Sequence, residues 1–222
     1  MGILGAWYDQ AKAQKQTPNP DAIALATAVN SAEPGTAGPL PSVRMVLCRA
    51  IDPNGSLLFY TNYQSRKGSE LQANPRAAAV FHWDHQGRQA RVEGFVVRAT
   101  DQESDAYFAK RALLSRLGAW ASIQSTPLHR RSDLVSAVAA AASRMKVSIE
   151  ALLSGNSAVS IPRPPHWGGF RLWIDRLELW CGGNGRLHDR AAWTRTLVPV
   201  DPAPHLTTAP KFTTWQATRL YP

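Results

Sequence analysis

The stretch VRMVLCRAIDPNGSLLFYT, residues 43–61, decides the fold. Val43, Met45 and Leu47 alternate with Arg44, Val46 and Cys48, the two-residue period of a strand, and Leu57–Thr61 is a second strand-like run. Between them Pro53-Asn54-Gly55 is hairpin turn chemistry, because proline fixes φ while asparagine and glycine accept positive φ. Strands joined this tightly must run antiparallel. Just upstream, AIALATAV (22–29) puts Ile23, Leu25, Thr27 and Val29 on one face and four alanines on the other, which predicts a strand packed closely on both sides. Downstream, Ala77–Trp83 and Gln89–Arg98 flank the polar turn Asp84–Gly87. Phe170–Ile174, Leu177–Trp180 and two runs between Thr194 and Leu220 complete the expected strands.

Helices fill the gaps. Leu4, Trp7, Tyr8 and Ala11 recur at helical spacing before Pro18 and Pro20, so residues 1–20 hold an N-terminal helix. Ser65–Asn74 reads as a helix ended by Pro75. Thr100-Asp101-Gln102-Glu103 has capping-box form and starts a helix reaching about Lys110. Residues 131–153 are an alanine-rich helical stretch inside a helical segment 126–160. SAEPGTAGPLPS (31–42) and DPAPHLTTAP (201–210) read as loops. Short strands joined by tight turns argue for a mainly β fold with α, a closed or nearly closed antiparallel barrel with peripheral helices. No Rossmann or P-loop unit appears, so any nucleotide is held another way.

The chain has 222 residues and 44% hydrophobic content, enough for one well-cored domain. No run approaches the roughly 20 apolar residues of a bilayer span, and the N-terminus lacks a signal-peptide pattern. Cys48 and Cys181 belong to no metal-spaced group, and a reducing, cytoplasmic location is the natural inference. Net charge is +9, so anionic partners matter. The densest basic groups are only Arg66-Lys67 and His129-Arg130-Arg131, with other arginines scattered singly. That pattern suits a phosphate pocket built from several elements better than a nucleic-acid stripe. Ordinary solvated surface is the alternative for much of this charge.

Three constellations carry chemistry. Ser65 is a good N-cap, which places Arg66 and Lys67 in the first helical turn, where cations oppose the helix dipole unless an anion is present. The alternative is that both side chains point into solvent. Arg49 shares a strand face with Val43, Met45 and Leu47, so its guanidinium calls for a carboxylate or an anionic ligand unless it is a surface position. Trp180-Cys181-Gly182-Gly183-Asn184-Gly185 is a glycine-rich turn leading into Arg186-Leu187-His188-Asp189-Arg190. In extended chain Arg186, His188 and Arg190 share one side, a cationic face; a solvated hairpin rim is the alternative. His82-Trp83-Asp84-His85 has ligand-like spacing but falls on a turn, and no metal site is expected.

The blocks SVRMVLCR (42–49), LFYTNYQSRKGSEL (58–71), RQARVEG (88–94), YFAKR, SRLGAWAS and QS (within 107–125), and PPHWGGFRL to RLHDR (164–190) resemble, in order and spacing, the pyridoxine/pyridoxamine 5′-phosphate oxidase family. The resemblance covers nearly the whole chain. It implies a homodimeric split β-barrel with FMN in a cleft between subunits. It implies a single FMN-binding domain over 1–222, in which 164–222 supplies dimerisation and active-site strands. By resemblance Arg44, Met45, Val46, Leu47, Cys48 and Arg49 line the flavin, followed by Tyr60 and Thr61, while Arg66 and Lys67 grip its phosphate. Gln89, Gln124, Ser125, Trp180 and Arg190 complete that site. The substrate phosphate falls to Arg49, Tyr107, Arg111 and Ser115, and Arg186 and His188 act catalytically by holding the pyridine ring over the flavin.

The implied reaction is oxidation of pyridoxine or pyridoxamine 5′-phosphate by dioxygen to pyridoxal 5′-phosphate and hydrogen peroxide. Alternatives are an oxidase of a phenazine precursor on the same scaffold, and a non-catalytic flavin or pyridoxal phosphate carrier. A nucleic-acid-binding module and a membrane protein are not expected. This sequence departs from the family pattern at Arg49, where lysine is usual, and at Ala112-Leu113-Leu114, where a more polar stretch is usual. Its N-terminus is short, so the arm that covers the site in relatives is expected to be missing. Two readings of Cys48 stay open, a packing residue or a redox liability.

Overall fold

Apolar residues at i, i+4 and i+7 make the opening helix, and the computed structural model buries that stripe: Leu4, Tyr8 and Ala11 are the inward face of α1 (Gly2–Gln14). The structure describes residues 1–30, 38–154, 159–198 and 210–222. They form two compact units, one of residues 1–59, 70–98 and 170–222, the other of residues 60–69 and 99–169.

The first unit is an antiparallel sheet. Its strands are β1 (Ala22–Asn30), β2 (Pro39–Asp52), β3 (Ser56–Asn62, continuing past the unit's last residue), β4 (Arg76–Trp83), β5 (Arg88–Arg98), β6 (Trp167–Cys181), β7 (Asp189–Thr194) and β10 (Gln216–Leu220). Their order is β10-β7-β6-β3-β2-β1-β4-β5, and β6 pairs with β5 as well. The six strands from β6 through β3, β2, β1, β4 and β5 therefore close on themselves. A strand has only two edges. β5 takes one edge of β6 from Phe170 to Cys181, so β7, paired over Arg176–Cys181, and β3 share the other. A separate two-stranded ladder joins β8 (Leu197–Val198) to β9 (Lys211–Phe212).

Local chemistry sets these elements as expected in most places. Gly55 turns the β2–β3 hairpin at φ 93°, and its N–H bonds Asp52 O at 2.8 Å. Tyr8 anchors α1: its hydroxyl donates to Cys48 O at 2.9 Å, and its ring meets Phe81 edge-on at 6.0 Å. Two expectations need correction in this unit. Phe170–Ile174 and Leu177–Trp180 are not two strands but one, because Asp175 and Arg176 are absorbed by a bulge. Gly94 faces Ile174 and Glu93 faces Arg176, leaving Asp175 without an opposite residue. The alanine face of β1 is only half-buried, while Ile23, Leu25 and Thr27 are fully covered.

The second unit is helical. It contains α3 (Asp101–Ala109), α4 (Leu113–Ala121), α5 (Arg131–Arg144), α6 (Ile149–Ser154) and the start of α2 (Arg66–Ala73). The capping box is formed: Thr100 Oγ1 accepts from Glu103 N, and Glu103 accepts from Thr100 N. The stretch expected as one helix over 131–153 is two, broken where Lys146 turns to φ 54°. α4 is a helix the sequence reading lacked, although Leu113 and Leu117 stand at i, i+4 and both are buried against Phe108, Ala141, Ile161 and Trp167. The expectations for the loops at 31–42 and 201–210 fall mostly outside the described residues; the described end, from Pro39, is already strand. Among the described residues no helix is long and apolar enough to cross a membrane.

Gly94 tests the bulge. A Cβ there would lie 1.9 Å from the Trp173 carbonyl oxygen, so the ladder must open to admit it. Gly94→Ala is expected to destabilise the protein by about 1–3 kcal/mol, read as a lower urea midpoint with unchanged slope.

Candidate active site

In the helical unit the turn 62–68 folds on itself before α2. Asn62 Oδ1 accepts from Gln64 N at 2.7 Å, and Ser65 Oγ donates to Asn62 O at 2.7 Å. Ser65 Oγ also accepts from Gly68 N at 3.3 Å, which makes Ser65 the N-cap the sequence predicts. Residue 68 must be glycine here, since a Cβ would sit 2.1 Å from Tyr63 O. The two basic side chains of the first turn part company. Arg66 is exposed, whereas Lys67 is 8% exposed and turned inward. Lys67 Nζ donates to Thr61 Oγ1 at 3.0 Å, Ser65 Oγ at 3.1 Å and Gln124 Oε1 at 3.0 Å. An ammonium, two hydroxyls and the first N–H groups of a helix thus meet in one place, a donor set that fits a phosphate. Gln124 and Ser125 lie on the exposed turn after α4, where Ser125 adopts φ 75°.

The same unit holds an aromatic layer. The rings of Tyr60 and Tyr107 stack at 4.0 Å, and Trp167 lies parallel to Tyr60 at 5.5 Å. Arg111 sets its guanidinium 4.6 Å from the Trp167 ring. The glycines of the WGGFR block are explained by closeness: a Cβ on Gly168 would lie 2.1 Å from the Tyr63 hydroxyl, and one on Gly169 2.7 Å from Ala99 Cβ and 3.0 Å from the Tyr60 ring. Ser115 is exposed in the first turn of α4. Leu113, one of the departures from the family pattern, is a core residue, while its neighbour Leu114 is exposed.

In the sheet unit β2 divides its side chains sharply. Arg44 is half-buried and bonded to Glu70 Oε2 at 2.7 Å, to Thr27 and to Ser42, and Ser42 and Thr27 in turn donate to Glu70. Arg49 pairs with Asp21 at 2.7 Å, so the anionic partner its position called for includes a carboxylate. The apolar face is not buried as the pattern suggested: Val43 is 68% and Met45 63% exposed, with Val46 and Leu47 partly covered. Cys48 is fully buried, its thiol bonded to Ala50 O and pushed up to about pKa 12, first by burial. Both cysteines are free.

Cross-strand register brings three distant residues into one row. Gln89 faces Trp180, and Trp180 faces Arg190 on its other edge, so all three side chains share one side of the sheet. Arg190 is held by Glu178, at 2.9 Å from Nε, and by Tyr221 O at 3.0 Å. The His188 ring packs on Trp180 at 4.6 Å, and its Nδ1 accepts from Gly183 N at 3.2 Å, leaving Nε2 to carry the proton of the neutral ring. The expectation that Arg186, His188 and Arg190 project together from extended chain is corrected here. Gly185 and Arg186 take φ 64° and 63° in a tight turn, and extended backbone resumes only at Asp189. His82 and Asp84 are exposed and 3.8 Å apart.

Residues 9–147 match the family model described as pyridoxamine 5′-phosphate oxidase. The chain belongs to this family. Residues 167–222 match the pyridoxine 5′-phosphate oxidase C-terminal dimerisation region, which places β6, β7 and β10 in that region. The pyridoxine/pyridoxamine 5′-phosphate oxidase of Azorhizobium caulinodans is 44% identical over 221 residues, 99% of this chain and 88% of the relative. That of Methylibium petroleiphilum is 48% identical over 189 residues, 85% of this chain and 79% of the relative. Among solved structures, PhzG from Burkholderia lata 383 in complex with tetrahydrophenazine-1-carboxylic acid superposes with a TM-score of 0.76 at 28% identity, covering 100% of this chain and 91% of that one. These likenesses make the chain an oxidoreductase of the oxidase family.

Sequence reasoning missed the residues that hold the site residues in place: Glu70, Asp21, Glu178 and Trp167. Each lies twelve or more residues along the chain from the residue it grips, and only the folded chain shows them together. Cys48 behaves as a packing residue. A Cys181→Ser variant is expected to take up no aromatic disulfide reagent at pH 8 while folded, and to react at Cys48 once denatured. Reaction of the folded variant within minutes would show an accessible thiolate instead.

Proposed function

We propose that the chain is a homodimeric, FMN-dependent oxidase that converts pyridoxine 5′-phosphate or pyridoxamine 5′-phosphate to pyridoxal 5′-phosphate in the cytoplasm. The observation that carries this reading is two separate cationic places in the helical unit. Lys67 with Ser65 and Thr61 suits the flavin phosphate, and Arg111 with Tyr107 suits the substrate phosphate. An enzyme that binds one phosphorylated cofactor and one phosphorylated substrate needs both. In this reading Arg66, Tyr60, Gln124 and Ser125 also serve the flavin, as do Arg44–Arg49, Gln89, Trp180 and Arg190 of the sheet unit. Arg49 and Ser115 join the substrate phosphate set. A second copy of the chain covers the exposed Val43–Met45 face.

FMN held there would supply a two-electron acceptor for oxidation at the substrate's C4′ carbon, with dioxygen as the final oxidant and hydrogen peroxide as its product. The protein's part is position and charge. Lys67 neutralises phosphate in a place from which water is largely excluded, so each bond counts for more than at the surface. Arg44 is fixed by Glu70 before any ligand arrives, which removes an ordering cost from binding. Arg186 and His188 align the pyridine ring, the His188 ring itself being oriented by Trp180 and by the Gly183 N–H on Nδ1. Pyridoxine 5′-phosphate, an alcohol, needs only dioxygen and gives pyridoxal 5′-phosphate and hydrogen peroxide, whereas pyridoxamine 5′-phosphate, an amine, also consumes one water and releases ammonia.

PhzG favours a second reading, oxidation of a reduced phenazine precursor, because the superposition covers the whole chain. The phosphate-suited pair Tyr107 and Arg111 argues for the first. Purified protein loaded with FMN is expected to release peroxide with pyridoxine 5′-phosphate and not with unphosphorylated pyridoxine. Lys67→Gln should weaken FMN binding by about 10–100-fold, read by recovery of flavin fluorescence on dilution, since a bond to a charged group contributes roughly 1.5–3 kcal/mol. Tight FMN binding with turnover of a reduced phenazine carboxylate and none of the phosphorylated vitamer would move the assignment to the second reading.

A further inference from the structure

We propose that Trp167 is a positioning residue for substrate phosphate, setting the orientation of Tyr107 and Arg111 together; this rests on the oxidase reading above. Arg111 lies beyond the end of α3, where the helical hydrogen bonds no longer fix the chain: Lys110 N and Arg111 N make tight-turn bonds to Tyr107 O at 3.2 Å and Phe108 O at 3.1 Å. A long side chain at such a place samples many rotamers unless something flat holds its head group. Trp167 is that surface. Its ring is 6% exposed, lies 4.6 Å from the Arg111 guanidinium carbon, and runs parallel to the Tyr107 ring at 6.2 Å and 5°. The indole therefore faces Arg111 directly and aligns Tyr107 within one parallel layer, together with Tyr60, which stacks on Tyr107 at 4.0 Å and lies parallel to Trp167 at 5.5 Å.

Trp167 is itself held from the helix that carries Tyr107. Arg163 Nη1 donates to Trp167 O at 2.6 Å, and the same guanidinium reaches Asp101 at 2.7 Å and Asp105 at 2.6 Å on α3. Trp167 N closes a turn onto Pro164 O at 3.0 Å. The Trp167 backbone is thus tied to α3 through two ion pairs and one hydrogen bond of Arg163, and Phe108 meets the indole edge-on at 5.1 Å. A residue needed only to fill the core would not require its backbone to be clamped to two carboxylates of the helix whose end it supports.

The test uses the FMN-loaded full chain with Trp167→Phe and Trp167→Leu. In Trp167→Leu the KM for pyridoxine 5′-phosphate and the Kd for inorganic phosphate, by calorimetry, should both rise about tenfold, the size of a desolvated cation–π contact. FMN affinity and kcat should stay within about twofold. Trp167→Phe, which keeps a flat ring, should recover most of the phosphate affinity. Should the parent chain bind inorganic phosphate yet not oxidise the vitamer, the oxidase reading fails while the phosphate titrations still decide the role of Trp167. The proposal is overturned if phosphate affinity is unchanged in Trp167→Leu, if it falls only in step with FMN affinity and thermal midpoint, or if the parent chain binds no phosphate at all.

Discussion

The pairing of β5 with β6 is the constraint on which the sheet unit depends. Eleven residue pairs, from Arg98 opposite Phe170 to Arg88 opposite Cys181, run along one edge of β6 and leave its other edge to be shared by β3 and β7. Closure of the six-strand ring needs that long edge, and so does the placement of Gln89 beside Trp180. Asp175 makes the length workable. A bulge bends a strand and sharpens its right-handed twist locally, so β6 is re-aimed once along its length, at the point where Gly94 lets the two backbones touch.

Polar residues in the sheet unit are tied by carboxylates rather than left to solvent. Glu70 gathers Arg44, Thr27 and Ser42; Glu178 takes Arg190 and Arg91; Asp21 takes Arg49. Each carboxylate fixes a guanidinium whose position is set by strand register. Arginine suits this use because its planar fork can be held on one side and still present N–H groups on the other. The helical unit works differently. There the flat rings of Tyr60, Tyr107 and Trp167 do the orienting, and Arg163 supplies the ionic tie.

Much of this was legible in the sequence, and the reasons differ by element. The Asp52–Gly55 turn, the Thr100 capping box and the Ser65 N-cap are local chemistry, written within four residues, and each forms as read. The α5–α6 break was not legible, since alanine-rich sequence around Lys146 favours helix and nothing local marks the left-handed residue. The β6 bulge was misread as two strands because Asp175-Arg176 interrupts the apolar run, while the ladder that carries it through belongs to β5. The side-by-side face expected for Arg186, His188 and Arg190 assumed extended chain, and Gly183 to Gly185 give the backbone another option. The exposed Val43 and Met45 show the limit of pattern reading most plainly: an apolar strand face says that something covers it, not that the same chain does.

The Arg44–Glu70 pair bears on how this sequence can change over time. Removing either partner alone leaves a charge buried among Thr27, Ser42 and the strand backbone, a loss on the order of 3–5 kcal/mol, whereas replacing both with apolar residues of matched volume can be close to neutral. As far as stability decides, single-step drift at either position is therefore closed and only paired exchange is open, and the flavin contact proposed for Arg44 closes that route as well. The two positions, far apart in the chain and on different elements, should be inherited as one character.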